Sequence, residues 1–304
     1  MFSSIWQDIQ SSFRNGNMVT RIIFLNVFIF VGINLVHVSL WLSNGLNPSA
    51  SATHIDEWLQ LSSQLSYLAY HPWTLITHMF FHLSVFHILS NMLWLYWFGY
   101  ITGDLLGDHR VLPIYVYSGL LGAIFYLLYA NLTPHTGGFA YGASGSVMGI
   151  ALAAAMTAPD YRMNILLFGE VAIKYVVLVM LFLDIIALPD MNNVGGHIAH
   201  LGGASFGALF VILLRQGIDL AAPFNNAQDW IKNLFSRSKK ISTQKSKDRP
   251  RPKVAFKNTE EPTPRKNASE VSQKMVDDIL DKIKREGYNS LSVEEKETLF
   301  KASK

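Results

Sequence analysis

Long apolar runs separated by short polar connections fill the first two-thirds of the chain. A bilayer core about 30 Å thick requires about 20 apolar residues in each helix that crosses it. Six stretches meet or approach this length: 19–42, 83–103, 111–131, 144–157, 171–188 and 197–214. The pattern therefore predicts an all-α membrane protein, with a bundle of six transmembrane helices over residues 19–214 and a short segment, 1–18, before it.

The first and fourth stretches each carry a further signal. No small-residue cleavage site follows residues 19–42, so we expect a membrane helix there and not a signal peptide. Residues 144–157 form an unusually short stretch that begins in a Gly/Ser run. Irregular backbone at membrane depth is tolerated only where it is buried in protein or faces a wet cavity. We therefore expect the fourth helix to begin inside the membrane.

Charge divides the chain into two parts. Residues 1–214 contain five basic and nine acidic residues, whereas the last 90 residues contain 20 basic and 13 acidic ones. So few charges exclude an ordinary soluble domain over the first part. The absence of cysteine excludes a disulfide framework and a thiol nucleophile. Because the basic excess lies in the tail, it favours an anionic membrane surface as partner and not nucleic acid.

The positions of the positive charges also predict the orientation. The connections 43–82, 132–143 and 189–196 contain no Lys or Arg, and the basic residues border the opposite ends of the helices. Basic residues accumulate in cytoplasmic connections. We therefore expect a multi-pass membrane protein with both termini, including segment 1–18, in the cytoplasm. The three connections without basic residues then mark the outer face.

The first of these outer connections is long and amphipathic. It contains about 40 residues and is rich in Leu, Tyr and Trp, including Trp58 and Trp73. A segment of this kind is typical of the membrane interface. Two interpretations stay open, because the connection either covers the ends of the helices or gates and contacts a substrate.

The chain becomes polar after the last apolar stretch. Residues 215–270 contain a short amphipathic stretch around Trp230 and a basic, Pro-containing run. We expect a basic, largely disordered linker here that touches anionic lipid. Residues 271–304 regain helical periodicity, and Ser292 and Glu295 match a capping box. They predict a small cytoplasmic helical hairpin.

Three polar clusters fall inside the apolar stretches, where ionisable groups are costly and usually functional. They contain His87 with Asn91, Ser144, and His200. Ser144 requires a base before it can act as a nucleophile, and histidines dominate the candidates. His87 and Asn91 are four residues apart, so they share one helix face and can donate to a developing oxyanion.

Glycines near two of these clusters favour close helix packing. Gly203 and Gly207 have the GxxxG spacing that lets membrane helices approach closely. If their partner is the short helix that contains Gly145, the hydroxyl of Ser144 and the ring of His200 come within hydrogen-bond reach.

Together the clusters resemble the rhomboid family of intramembrane serine proteases. The resemblance is to the family's bacterial members, which implies a bacterial inner membrane, and it covers residues ~19–214. It depends on the HxxxN element at 87–91, the sequence GASG at 142–145, and AHLGG with its following glycine at 199–207. Each element alone is weak, but the three occur in the family's order and on the matching helices.

The resemblance implies a mechanism. Ser144 would be the nucleophile and His200 its general base, in a dyad without a buried carboxylate partner. His87 and Asn91, with the backbone N–H of Ser144, would donate to the oxyanion. No metal or cofactor is implied. Asp184 receives no catalytic role, and we expect it to be a polar group near a helix end or hydrogen-bonded between helices. The substrates would be single-pass transmembrane proteins, cut near the outer face where their helices fray.

Two positions depart from the family pattern. Many rhomboids have Trp-Arg in the first outer connection, where this chain has Trp73-Thr74, and the change removes a charged contact. An aromatic residue that packs on the catalytic His often lies four residues after the nucleophile. Here that position is Met148, which can fill the space and contact the ring through its sulfur.

Other functions stay open beside this one. A metal site is suggested by His78, His82 and His197. The chain has no HExxH motif, however, and shows no acidic third ligand nearby. We therefore expect these side chains to bond loop backbone or line a wet opening.

A catalytically idle rhomboid-like protein would bind transmembrane helices without cutting them. A transporter usually shows an inverted repeat, and the sequence shows no convincing one. The sequence assigns no oligomeric state.

Overall fold

The structure is a computed structural model that describes most of the chain. The described residues are 10, 16–43, 52–133, 137–165, 168–190, 193–236, 273–286 and 290–302. The chain divides into two compact units, Met1–Lys240 and Ile241–Lys304.

The described part of the first unit consists mainly of helices. They are α1 (Met18–Ser43), α2 (Ala52–Leu59), α3 (Leu65–Tyr70), α4 (Thr74–Thr77), α5 (Val85–Leu106), α6 (Asp108–Leu132), α7 (Ser144–Thr157), α8 (Ile173–Ile186), α9 (Val194–Arg215) and α10 (Ala221–Ser236). Short 3₁₀ turns follow α4 and α8 at His78–Phe80 and Leu188–Asp190. Two small antiparallel sheets pair β1 (Leu61–Ser62) with β2 (Phe139–Ala140), and β3 (Arg162–Ile165) with β4 (Gly169–Ala172).

Each of the six apolar stretches overlaps one of the main helices, namely α1, α5, α6, α7, α8 or α9, with bounds that differ by up to three residues. Three of them, α1, α6 and α9, are long and apolar enough to cross a membrane alone. A fourth crossing is reached if Thr74–Phe80 and α5, which are bent by 92° at their junction, count as one span. The chain is therefore a helical, multi-pass membrane protein, and the count of six spans stays a prediction.

The centre of the bundle is formed by α6, α7 and α9. A Cβ atom placed on Gly203 would lie 2.0 Å from the carbonyl oxygen of Gly145, and one on Gly207 would lie 2.0 Å from that of Gly149. Backbone therefore touches backbone along α7 and α9, the close approach that small residues permit in membrane bundles. Helix α6 approaches α9 similarly, because a Cβ on Gly122 would lie 2.7 Å from a carbonyl oxygen of α9.

Helix α7 is short and enclosed by protein. It has 14 residues, of which ten are buried. The N-terminal N–H groups of a helix have no partner within the helix. A helix can begin at membrane depth only where protein or a wet cavity surrounds those groups, and the neighbours of α7 supply this enclosure.

Helices α1 and α8 are peripheral by comparison. Only three residues of α1 are buried, and in α8 the buried residues are Ile173, Val177 and Asp184. Large apolar side chains such as Phe28 and Phe182 are exposed on the two helices. Such surfaces are stable when they face lipid. Asp184 is thus a single buried acid on an otherwise lipid-facing apolar helix.

The connection before α5 is ordered by hydrogen bonds and ring contacts. The indole N–H of Trp73 donates to the carbonyl of Trp58 at 2.8 Å, and both rings pack against His71. The Thr74 side chain is buried, and its hydroxyl donates to the carbonyl of His71. Thr74, at the position where many rhomboids have Arg, therefore holds this connection through a buried neutral hydrogen bond.

An ion pair ties the start of α6 to the residues before α10. Arg110 donates to Oδ2 of Asp219 from Nε at 2.9 Å and from Nη2 at 2.7 Å. Oδ1 of Asp219 accepts from the backbone N–H of Ala221 at 2.9 Å. Burial raises the pKa of Asp219, but the hydrogen bonds from Arg110 and Ala221 outweigh it, so the pKa lies below its ordinary value.

Helix α10 lies within the region 215–270, which the sequence predicts to be a largely disordered linker. The helix packs on α6, where the ring of Phe224 meets that of Tyr117 edge-on at 5.7 Å. The structured part of this region thus reaches residue 236, and the predicted basic run after it lies outside the described residues.

The second unit contains α11 (Gln273–Glu286) and α12 (Val293–Ala302). The N–H of Ser292 donates to Oε2 of Glu295 at 2.7 Å and the N–H of Glu295 donates to Oγ of Ser292 at 3.2 Å, which confirms the predicted capping box. Lys282 of α11 binds Glu295 at 2.9 Å and joins the two helices. Hydrogen bonds from Lys282 and from the N–H of Ser292 lower the pKa of Glu295.

Candidate active site

The turn before α7 depends on a glycine. Gly142 has a φ of +110°, a conformation that side chains other than glycine rarely adopt. Its N–H donates to the carbonyl of His78 at 2.8 Å, and a Cβ on it would lie 2.7 Å from the ring of His87. Ser144 is the first residue of α7, so its backbone N–H has no partner within the helix. The turn therefore places a hydroxyl and an unpaired helix-start N–H on one residue.

Ser144 and His200 meet across the contact between α7 and α9. Nε2 of His200 lies 2.7 Å from Oγ of Ser144. The two side chains meet because their helices touch through Gly145 and Gly203, which follow Ser144 by one residue and His200 by three. The distance is within the 2.6–3.2 Å or so that a nucleophile and its base require.

Asp184 of α8 binds the other side of the His200 ring. Its Oδ1 lies 2.8 Å from Nδ1 of His200 and 2.7 Å from Nδ1 of His197. A carboxylate only accepts hydrogen bonds, so each Nδ1 donates to it, and Nε2 of His200 is left to accept from the hydroxyl of Ser144. Asp184 is therefore a buried carboxylate partner of His200 that the expected dyad lacks, and the catalytic importance of this contact stays a prediction.

The expectation that Asp184 is hydrogen-bonded between helices is confirmed, but the sequence does not identify its partners, because the contact joins two helices. Asp184 precedes His200 by 16 residues, and the residue pattern of α8 does not show which of its faces meets α9. The available signal was the carboxyl itself, because an acid in an apolar helix usually has a polar partner. The same contact corrects the statement that no acidic group lies near His197.

His87 and Asn91 of α5 lie beside the turn that leads to Ser144. Nε2 of His87 would be 2.7 Å and Nδ2 of Asn91 3.7 Å from a Cβ on Gly142. The amide of Asn91 donates to Nε2 of His82 at 3.1 Å, and the same nitrogen accepts from the N–H of Ala143 at 3.2 Å. His82 thus bonds loop backbone, as the sequence predicts, and it also holds Asn91 beside the turn.

His78 and Met148 are buried around the same turn. Nδ1 of His78 donates to the carbonyl of Thr74 at 2.8 Å, so this histidine bonds loop backbone as the sequence predicts. Met148 is buried one turn after Ser144 and lines the cavity beside it. Neither side chain brings a charge to the site.

A cavity of about 1000 Å³ connects these groups. Its wall includes Ser144, His200, Asp184, His87 and Asn91. The structure therefore gathers a hydroxyl, an imidazole, a carboxylate and two further donors on one polar surface inside an apolar bundle. This arrangement can activate the hydroxyl of Ser144 and stabilise negative charge that develops next to it.

Comparison with known proteins adds family information. The rhomboid domain family matches residues 69–217, which include every residue of the candidate site. A second family, a family of unknown function (DUF6576), matches residues 267–304.

Several curated proteins are similar to parts of the chain. RHOMBOID-like protein 12, mitochondrial, of Arabidopsis thaliana is 32% identical over 158 residues, which are 47% of this chain and 47% of that protein. Presenilin-associated rhomboid-like protein A, mitochondrial, of Danio rerio is 30% identical over 134 residues, or 43% of this chain and 35% of that protein. Presenilin-associated rhomboid-like protein, mitochondrial, of Homo sapiens is 28% identical over 217 residues, or 68% and 50%. The chain spans about half or less of the length of these relatives.

Proposed function

This chain is a member of the rhomboid family, and we propose that it is an intramembrane serine endopeptidase. The observation that carries the proposal is the 2.7 Å contact between Nε2 of His200 and Oγ of Ser144 inside an apolar bundle. Unpaired polar groups are costly at membrane depth. Here the hydroxyl is paired with an imidazole and the imidazole with the carboxylate of Asp184, the order of groups that activates a serine.

In the proposed first step, Oγ of Ser144 attacks the carbonyl carbon of the scissile peptide bond and its proton passes to Nε2 of His200. His200 then gives this proton to the leaving amine as the C–N bond breaks, which leaves an acyl group on Ser144. Asp184 acts as a positioning residue, because it holds the Nδ1–H tautomer of His200 and stabilises the imidazolium. Water then removes the acyl group by the same proton route.

The tetrahedral intermediate carries an oxyanion that needs donors. The proposed donors are the backbone N–H of Ser144 and the side chains of His87 and Asn91. Asn91 has two amide hydrogens, so one can stay on His82 while the other meets the oxyanion. Donors of this kind are each worth roughly 3–4 kcal/mol in the transition state.

The proposed substrates are single-pass transmembrane proteins. A peptide bond in a helix is shielded by its own hydrogen bonds, so the substrate must unwind before Ser144 can reach it. Helices with small or helix-breaking residues near the outer face unwind most easily there. The orientation of the enzyme, with its termini in the cytoplasm, is proposed from the distribution of Lys and Arg alone.

The decisive experiment compares Ser144→Ala with the wild type on a tagged single-pass substrate in the same bilayer. Loss of the nucleophile should lower the cleavage rate by at least about 10³-fold. Ser146→Ala is the matched control, because Ser146 lies two residues further along α7 and its buried hydroxyl has no hydrogen-bond partner among the described residues. This control should fold and cleave as the wild type does.

Each outcome of this comparison is decisive. Cleavage by both the wild type and Ser144→Ala would show that Ser144 is not the nucleophile. If a folded wild type binds transmembrane helices, cleaves none of a panel of substrates and resists labelling of Ser144 by a serine-reactive phosphonate, the chain is an idle rhomboid-like binding protein instead.

A further inference from the structure

Three metal-ligating side chains meet where α8 approaches α9. One ligand atom from each of Asp184, His197 and His200 lies within 4.8 Å of the other two. Both imidazoles use Nδ1 to bind the same carboxylate oxygen, at 2.7 and 2.8 Å. The peptidase mechanism uses Asp184 and His200 but gives His197 no step, so the presence of a second imidazole on this carboxylate has no catalytic explanation.

We propose that this cluster is a regulatory zinc site that overlaps the active site. Oδ1 of Asp184 and Nδ1 of His197 and His200 would bind the ion. Two imidazole nitrogens, one carboxylate oxygen and an open fourth position for water are a ligand set that Zn²⁺ accepts. Imidazole nitrogen favours Zn²⁺ over Mg²⁺ and Ca²⁺, which prefer oxygen ligands. The chain contains no cysteine that would compete for the ion.

Zinc binding requires the three ligand atoms to move to roughly equal separations. With bonds of about 2.0–2.2 Å, tetrahedral ligand atoms lie roughly 3.3 Å apart. The two separations from Oδ1 of Asp184, 2.7 and 2.8 Å, would therefore open by about 0.5 Å, and the two Nδ1 atoms, which lie within 4.8 Å of each other, would move to the same spacing. Asp184 can supply this movement because α8 buries only three residues. Asp184 and His200 line the cavity, which gives the ion a route to the site.

The ring nitrogen of His200 that would not bind zinc already has a hydrogen-bond partner. Imidazoles that bind a metal through one nitrogen usually donate the N–H of the other nitrogen to an acceptor. With zinc on Nδ1 of His200, the ring proton resides on Nε2 and points at Oγ of Ser144, 2.7 Å away. Ser144 would thus orient His200 as a metal ligand without touching the ion.

The same change of tautomer stops the proposed reaction. In the active arrangement Nδ1 of His200 carries the proton and Nε2 accepts from Ser144. Zinc on Nδ1 moves the ring proton to Nε2, and the imidazole stays neutral. His200 then has no lone pair for the proton of Ser144, so the filled site is inactive and metal removal restores it. This consequence rests on the proposed function, whereas the binding of zinc does not.

The binding test uses the full wild-type chain in detergent without substrate, which keeps all three ligands and the hydroxyl of Ser144 whether or not the chain is a protease. Calorimetric titration with zinc chloride should show one saturable equivalent. Adding His197→Gln, or independently Asp184→Asn, should weaken binding at least about tenfold, because even outer-shell partners are worth that much. His109→Gln, at the opposite end of the bundle, should leave it unchanged. Absence of a saturable equivalent, or equal weakening by His109→Gln, would overturn the site.

The activity test measures substrate cleavage at increasing zinc, with each variant compared with its own zinc-free rate. Zinc should inhibit the wild type, and a chelator should restore cleavage. His197→Gln should require at least about tenfold more zinc for the same inhibition. One bound equivalent without inhibition would show that the site does not overlap the active site. If no variant cleaves, the peptidase proposal fails, and the titration still decides the zinc site.

Discussion

The centre of the bundle and its periphery hold the candidate site in different ways. Ser144 and His200 lie on α7 and α9, whose backbones touch at Gly145 and Gly203. Asp184 lies on α8, which buries only two other residues and exposes most of its apolar side chains. The reacting pair is thus placed by rigid backbone contact, whereas the group that orients His200 is placed by a helix with few protein neighbours.

The difference follows from the solvent in which the bundle folds. Lipid tails are as apolar as Leu, so burying Leu between membrane helices adds little to the free energy of their association. Close packing of small residues stabilises the association instead. Helices with such residues are fixed tightly, and helices without them are held by a few specific contacts. The position of α8 therefore depends strongly on the polar contact that Asp184 makes.

The largest difference in cleavage and stability is expected when a glycine is replaced by alanine at the centre of the bundle and, separately, at its periphery. Gly203→Ala puts a Cβ 2.0 Å from a carbonyl oxygen of α7, so the helices must separate and the contact between Ser144 and His200 breaks. Overpacking of this kind costs about 1–3 kcal/mol or more. We expect loss of cleavage and a lower unfolding temperature, measured on the same purified sample.

The matched control for this prediction is Gly32→Ala in α1. A Cβ there has no atom within 4 Å, and Ala favours the helix by up to about 1 kcal/mol. Its activity and unfolding temperature should equal or slightly exceed those of the wild type. If Gly203→Ala cleaved substrate at the wild-type rate, the rigid contact between α7 and α9 would be disproved.

The next largest effect is expected at the contact between Asp184 of the peripheral helix α8 and His200 of the central helix α9. In Asp184→Asn the side-chain amide can donate to Nδ1 of His200, which stabilises the wrong tautomer and leaves Ser144 without a base. The cleavage rate should fall roughly 10²-fold while the protein stays folded. Leu178→Ala, an exposed position on the same helix, is the control and should keep the wild-type rate. An unchanged cleavage rate in Asp184→Asn would show that Ser144 and His200 act as a dyad without help from Asp184.

A smaller effect is expected at the peripheral ion pair of Arg110 and Asp219. Because the folded pKa of Asp219 lies below its ordinary value of about 3.9, the pair contributes stability above that pH and loses it as the pH falls through the folded pKa. Asp219→Asn should lower stability at pH 7 by up to about 1 kcal/mol, since both side chains are partly exposed.

The pH profile of the unfolding temperature checks this assignment. The difference between Asp219→Asn and the wild type should shrink below about pH 4, because the wild type loses the pair there. Asp229→Asn, on the exposed surface of α10, should show no such difference at any pH. A constant difference between Asp219→Asn and the wild type at every pH would contradict the role of the charge.

The smallest effect is expected where α6 and α7 pack. Ser118 of α6 lies against Gly149, Ser146 of α7 lies against Gly119, and neither hydroxyl has a hydrogen-bond partner in the described part of the chain. Removing an unsatisfied buried hydroxyl also removes its desolvation cost. The double variant Ser118→Ala, Ser146→Ala should therefore match or exceed the wild-type stability by less than about 1 kcal/mol. Marked destabilisation would reveal a hydrogen bond at one of these hydroxyls.

The sequence by itself determined where the helices lie and in which order they carry the polar residues of the site. Apolar run length placed six helices within a few residues of their bounds, and the Gly/Ser run before Ser144 indicated the short fourth one. The spacing of His87 and Asn91, and of Gly203 and Gly207, is readable because residues three or four apart share one helix face. These features are local, so neighbouring residues are sufficient to predict them.

Only the tertiary structure decided which faces of different helices meet. It brought Asp184 to both His197 and His200, and it placed His82 between Asn91 and the turn before Ser144. Such contacts depend on the rotation and crossing angle of helices that are distant in the chain. A rotation of one helix by less than a quarter turn changes the partner of a buried side chain without altering the local apolar pattern, so the pattern alone does not encode these pairs.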